Sequence, residues 1–181
     1  MRRHTNILIL LLLTGLCISA GAQNNPYKID DSLYPIFQRA IKWRTQPQGL
    51  LIADTLYAEA TQKKDKKAQC LALTIPVSFY LSTNNYEKLE QAATRAKEEA
   101  RKNNYLQYYY SACTNEINCL LNNGHSLRAL QKAEEMKIQA FKDQHEYGIF
   151  SCIFTLGNIY YMRQNREVAT EYYKNAVEYM L

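Results

Sequence analysis

The residue types that could do chemistry are thinly spread along this chain of 181 residues. Its three histidines are His4, His125 and His145. Neither of the last two has a cysteine or second histidine at ligand spacing. A zinc-type site needs three or four donors converging on one point, so no metal site is expected. No glycine-rich phosphate loop and no Gly-x-Ser-x-Gly elbow occurs, which leaves no nucleotide or acyl-transfer signature. Glu87, Glu90, Glu98 and Glu99 stand among Lys and Arg at helical spacing, the pattern of solvated i,i+4 pairs. No catalytic residue, cofactor or metal is expected, and the chain reads as a non-enzyme.

Tyrosine is the abundant functional group, at 15 residues. Tyr105, Tyr108, Tyr109 and Tyr110 form a cluster that could stack bases or sugars. No basic residue interleaves them after Arg101-Lys102, and a net charge of +5 is mild. Packing is the expected role, and nucleic acid is not an expected partner. Cysteine, at 5 residues, is too sparse for a disulfide scaffold.

The first 22 residues read as a targeting segment. Arg2 and Arg3 precede an apolar run from Ile7 to Ile18, and small residues follow at Ala20 and Ala22. That order matches a secretory signal peptide cleaved after Ala22. The run is shorter than the ~18–20 residues a spanning helix needs. A lipoprotein would be lipidated at Cys17, but Leu16 stands where a small residue is expected. The expected location is therefore periplasmic or extracytoplasmic, where disulfides can form among Cys70, Cys113, Cys119 and Cys152. No membrane span is expected in the mature segment.

A period of 40 organises the remainder. Leu89, Ala129 and Ala169 fall in register, followed by Ala93, Ala133 and Tyr173, then Ala96, Met136 and Ala176. One period earlier the same column gives Gly49, Ala53 and Leu56. After a short linker (23–29), the array divides into repeats 30–69, 70–109, 110–149 and an incomplete 150–181. The first half of each carries an i, i+3, i+4, i+7 stripe: Leu33, Ile36, Phe37, Ala40; Leu73, Pro76, Val77, Tyr80; Cys113, Glu116, Ile117, Leu120; Ile153, Leu156, Gly157, Tyr160. Such spacing lines one helical face. The second half is rich in Ala, which lets helices approach closely. Turn residues separate the halves: Gln46 to Gly49, Thr83 to Asn85, Asn122 to Gly124, and Gln164-Asn165. The spacing thus predicts an all-α solenoid of antiparallel helix pairs, stacked because one pair cannot bury its own apolar face. Pro76 is expected to kink or break its helix, and Glu116 intrudes on an otherwise apolar column. Asp31 or Ser32 is expected to cap the first helix. Cys113 and Cys152 occupy nearly equivalent points, but helix axes ~8–10 Å apart exceed disulfide reach, so free thiols are expected.

The fourth block, with Ile153, Leu156-Gly157, Tyr160, Ala169, Tyr173 and Ala176, resembles the tetratricopeptide repeat, with a period of 40 instead of the common 34. The mature chain, with Asp30-Asp31-Ser32-Leu33-Tyr34 and Gln69 to Pro76, resembles the extracytoplasmic repeat region of two-component (hybrid) sensor kinases of Gram-negative bacteria. This resemblance implies a sensing or docking domain that binds a protein or peptide in a concave groove. By that analogy the groove is lined by Thr74, Ser78, Ser111, Thr114, Asn118, Asn122, Ser151, Phe154, Asn158 and Tyr161. It also implies that later repeats, a membrane span and a kinase follow in a longer chain. The alternative is a freestanding periplasmic adaptor. Val177, Met180 and Leu181 lie near the end without a capping helix, so self-association there is a further expectation.

Overall fold

The computed structural model describes residues 25–180. The signal-peptide and lipidation expectations for the first 22 residues lie outside that range, as does Leu181. Eight helices follow one another, and no strand occurs among the described residues. They are α1 (Tyr34–Lys42), α2 (Pro47–Gln62), α3 (Lys66–Ser82), α4 (Tyr86–Lys102), α5 (Leu106–Asn122), α6 (Ser126–Lys142), α7 (Glu146–Met162) and α8 (Arg166–Met180). The protein is an all-α solenoid of stacked helix pairs. The pairs α3–α4 and α5–α6 and the first helix α7 repeat at intervals of 40, four residues ahead of boundaries placed at 70, 110 and 150.

The turns reveal a finer unit. Lys64, Asn84, Asn104, Gly124, Gln144 and Gln164 all have positive φ, between 51° and 77°, and they recur every 20 residues. Each ends its helix in the same way. At the first, the Lys64 amide bonds the Thr61 carbonyl and the Asp65 amide bonds Ala60, which satisfies two orphan carbonyls. The same pair of bonds recurs in the other five turns. The following residue then opens the next helix. Asp65, Asn85, His145 and Asn165 each accept a hydrogen bond from the amide three residues on. In four of the six turns one three-residue link therefore stops one helix and caps the next, whereas Tyr105 and His125 open theirs with no side-chain cap. At α1 the cap differs from expectation. Asp30 accepts from the Ser32 amide and hydroxyl, and no side chain caps the helix itself.

The backbones of first helices (α1, α3, α5, α7) pack against one another along the array, whereas among the described residues no two second helices bring their Cα atoms within 8 Å and only side chains such as Arg128 and Tyr86 span the gap. A row that touches on one side and parts on the other curves toward the touching side. The small columns fit the close packing between halves: Ala60, Ala93, Ala100, Ala133 and Ala140 have no exposed surface. Leu89, Leu120 and Leu156 are equally buried beside them. Pro76 does not break its helix; α3 runs unbroken from Lys66 to Ser82. An interior proline costs ~3 kcal/mol, but its neighbours Ile75 and Val77 are buried. At ~1.5–3 kcal/mol for each such side chain, packing offsets the lost bond.

Candidate functional site

The ten groove residues stand in columns on three first helices. Thr74, Thr114 and Phe154 share one column, Ser78, Asn118 and Asn158 another, and Ser111 and Ser151 a third. Their polar groups are partly spent. The Thr74 hydroxyl donates to the Leu71 carbonyl at 2.7 Å and Ser78 to Thr74 at 3.0 Å. Asn158 accepts from the Tyr173 hydroxyl at 2.8 Å. Ser151 is buried, and Ser111, Thr114 and Asn118 are half-buried. The open part of the stripe lies on α7 and at the end of α5, where Asn122, Phe154 and Tyr161 are exposed, the last two at 45% and 56%. Phe154 stacks on Phe150 (5.9 Å between ring centroids) and leans on Tyr173 (5.5 Å), forming an aromatic ledge. Gly157 makes room for that ledge, since a Cβ there would sit 2.6 Å from the Tyr173 ring.

Three cavities open elsewhere, on the side of the second helices. Each lies between two successive second helices with a first helix as its floor. The α2–α4 cleft (about 380 Å³) has Leu73 and Pro76 as floor and Lys88 and Arg95 at its sides. The α6–α8 cleft (about 430 Å³) is lined by Phe141, Ile153, Tyr172 and Lys137. The α4–α6 cleft (about 220 Å³) holds Glu116, Lys97 and Lys132. None of the ten groove residues lines these three cavities.

Glu116 explains why its column breaks pattern. It is 3% exposed, and Lys97 from α4 donates to Oε2 at 2.7 Å. Lys132 Nζ from α6 forms an ion pair with Oε1 at 2.6 Å. Burial alone would raise the Glu116 pKa, but the two ammonium groups hold it below the ordinary value. The sequence marked Glu116 as an intruder; its partners Lys97 and Lys132 were hidden among other helix-face lysines.

A second polar knot joins the same helices. The fully buried Tyr110 ring places its hydroxyl 2.5 Å from Asp143 Oδ2. Arg101 donates to the same oxygen at 2.7 Å and Gln139 to Oδ1 at 2.8 Å. Burial would raise Asp143, and these three hydrogen bonds hold it low instead. Tyr110 also stacks on His145 at 5.2 Å. Of the tyrosine cluster, Tyr110 is thus core, and Tyr109 lies under the Arg101 guanidinium at 4.1 Å. Cys70, Cys113, Cys119 and Cys152 are buried and free. Burial pushes the Cys70 thiol up to about 12 and those of Cys113 and Cys152 to about 11, far from the thiolate range of reactive cysteines. Among the described residues, no helix is long and apolar enough to cross a membrane.

Fold and surface together define a class, a helical-repeat solenoid with an aromatic ledge on one face and clefts on the other. No family model matches the chain, and no curated protein or solved structure matches it.

Proposed function

We propose that this chain is an extracytoplasmic interaction scaffold of the tetratricopeptide-repeat type, binding a protein or peptide along its first-helix face, and that it is the sensing part of a signal-transduction protein. The observation that carries the reading is the exposure of Phe154 and Tyr161 on α7 and of Asn122 at the end of α5, on the first-helix face that curves inward. Exposed aromatic and amide groups are suited to an extended peptide, the rings covering apolar side chains and the amide bonding its backbone. The absence of any motif for chemistry in the sequence agrees with a binding role and with no catalysis of its own.

Pull-down from envelope extract, comparing the natural chain with Phe154→Ser/Asn122→Ala, tests the face. A partner retained by the first and lost from the second is expected; equal recovery overturns the assignment. The signalling role is tested by reading the gene beyond codon 181. An in-frame continuation into further repeats and an apolar span is expected, and a stop codon there would leave a freestanding periplasmic adaptor.

A further inference from the structure

We propose that the α2–α4 cleft binds a small organic anion, a single carboxylate on an apolar body, with Arg95 and Lys88 meeting the carboxylate. The site lies on the second-helix side and does not depend on the groove reading.

Unspent positive charge separates this cleft from its neighbours. In the α4–α6 cleft Lys97 and Lys132 are both ion-paired with Glu116, and in the α6–α8 cleft Lys137 is paired with Glu134. Among the described residues, Lys88 and Arg95 form no ion pair and no side-chain hydrogen bond. The repeat supplies the reason. The column that brings Glu116 to the floor of the α4–α6 cleft carries Pro76 one period earlier, so the floor of the α2–α4 cleft offers no carboxylate. Asp54 is the acidic residue of this lining; it stands on the α2 wall and pairs with neither cation. Lys88 and Arg95 against Asp54 leave one positive charge in excess, which a single ligand carboxylate neutralises.

Both cations are also placed by aromatic rings. The Arg95 guanidinium reaches from α4 to α2, where it lies over the Tyr57 ring at 4.7 Å. The Lys88 ammonium lies 5.9 Å from the centre of the Tyr80 ring on α3. A ring covers the face of a guanidinium and leaves the N–H donors, which lie in its plane, free at the edge. Those donors match the two oxygens of a carboxylate in a bidentate pair. Between the cations the lining is apolar, with Leu50 on the α2 wall and Leu73 and Pro76 as floor, and this surface suits the body of the ligand. A cleft of about 380 Å³ falls within the range of small-molecule sites, which are mainly apolar with a few placed polar groups. Size does not select it, since the α6–α8 cleft is about 430 Å³. The unpaired cations do.

Titration calorimetry of the whole chain with octanoate, octanol and octylammonium, each monomeric in solution, tests the site. Octanoate is expected to bind, and the neutral and cationic analogues to bind at least ~10-fold more weakly, the scale of one lost charged hydrogen bond. Lys88 and Arg95 are exposed, so Lys88→Gln/Arg95→Gln is expected to keep its fold by circular dichroism and to lose octanoate by the same factor. Lys137→Gln, in the α6–α8 cleft, should bind it as the natural chain does. Asp54→Asn removes the opposing charge and should tighten binding by ~2–5-fold, the scale of an exposed charge pair; a misfolded chain cannot give such a gain. No octanoate binding to the natural chain overturns the proposal, as does equal binding of either analogue. So does affinity retained in the double variant, affinity lost in Lys137→Gln, or no gain in Asp54→Asn.

Discussion

Glu116 and Asp143 are carboxylates of the array whose ionised forms the fold favours, as it favours that of the exposed Asp30, and they contribute to the response of the protein to acid. Both are held below their ordinary values, Glu116 by Lys132 and Lys97 against the effect of burial, and Asp143 by Tyr110, Gln139 and Arg101 against the same effect. The sign follows from linkage. A carboxylate whose pKa is lowered on folding contributes its full stability above the unfolded value of ~4 and loses it as pH falls through the folded value. The urea midpoint is therefore expected to hold between neutral pH and pH ~5, then drop below pH ~4. In Glu116→Leu/Lys132→Tyr one of these carboxylates is gone, so the drop should be shallower. An identical acid profile in that variant would show that Glu116 carries none of the dependence. Glu116 was legible in the sequence only as an anomaly, because a column identifies what does not belong without naming the partners that admit it. The Tyr110–Asp143 bond joins residues 33 apart and left no local signature.

At the scale of helices and turns, the period was legible because small and apolar residues recur in step, and three turns within pairs carried Asn or Gly. The turns between pairs were less so. Lys64 and Gln144 have positive φ, yet neither is a residue that favours the left-handed region. The turn is imposed there by the helices on either side, which need the same three-residue link at each interval of 20. That conflict makes a prediction. Replacing Gln144 by Gly relieves the steric cost and is expected to stabilise by ~0.5–1 kcal/mol after the entropy of glycine is counted, raising Tm by ~1–4 °C. An unchanged or lower Tm would mean that the Gln144 side chain holds more than it strains. Gly148 works in the opposite direction. In a helix Ala is normally preferred by ~1 kcal/mol, but a Cβ at Gly148 would lie 2.7 Å from the Tyr110 ring. That ring cannot yield, because its hydroxyl is tied to Asp143. Gly148→Ala is expected to cost a net ~1–2 kcal/mol by overpacking, read as a lower urea midpoint. Pro76 shows the limit of local rules from another side, since its helix runs unbroken where the sequence led to an expected kink or break.

For the whole molecule, the sequence could name the helix faces but not the space between helices. Column analogy drew attention to the first-helix stripe, where much of the polarity is bound up within the array. The cavities lie between second helices, at a separation set by how successive pairs stack, and no periodicity reports that distance. The same stacking decides how the array holds together. In a solenoid each pair touches only its neighbours, so stability is a sum of pair and interface contributions. Glu116 sits at the interface of the second and third pairs, bridging α4 and α6 through α5. Arg101 and Asp143 bridge the same two second helices a few turns away. This interface is thus polar where the next one, around Leu156 and Tyr172, is apolar. Hydrogen exchange resolves the difference. First helices, buried against two neighbours, are expected to exchange slowest, α5 and α7 above all, with α1 and α8 fastest. Glu116→Ala leaves two half-buried ammonium groups without their counter-ion, a change that costs up to ~3–5 kcal/mol when a pair is fully buried and less here, where the lysines reach solvent. That loss should appear as faster exchange in α4, α5 and α6 while α7 and α8 keep their rates, because the interface beyond them is untouched. Uniform acceleration along the whole chain would mean that the array unfolds as one cooperative block and that its pairs are not separable units.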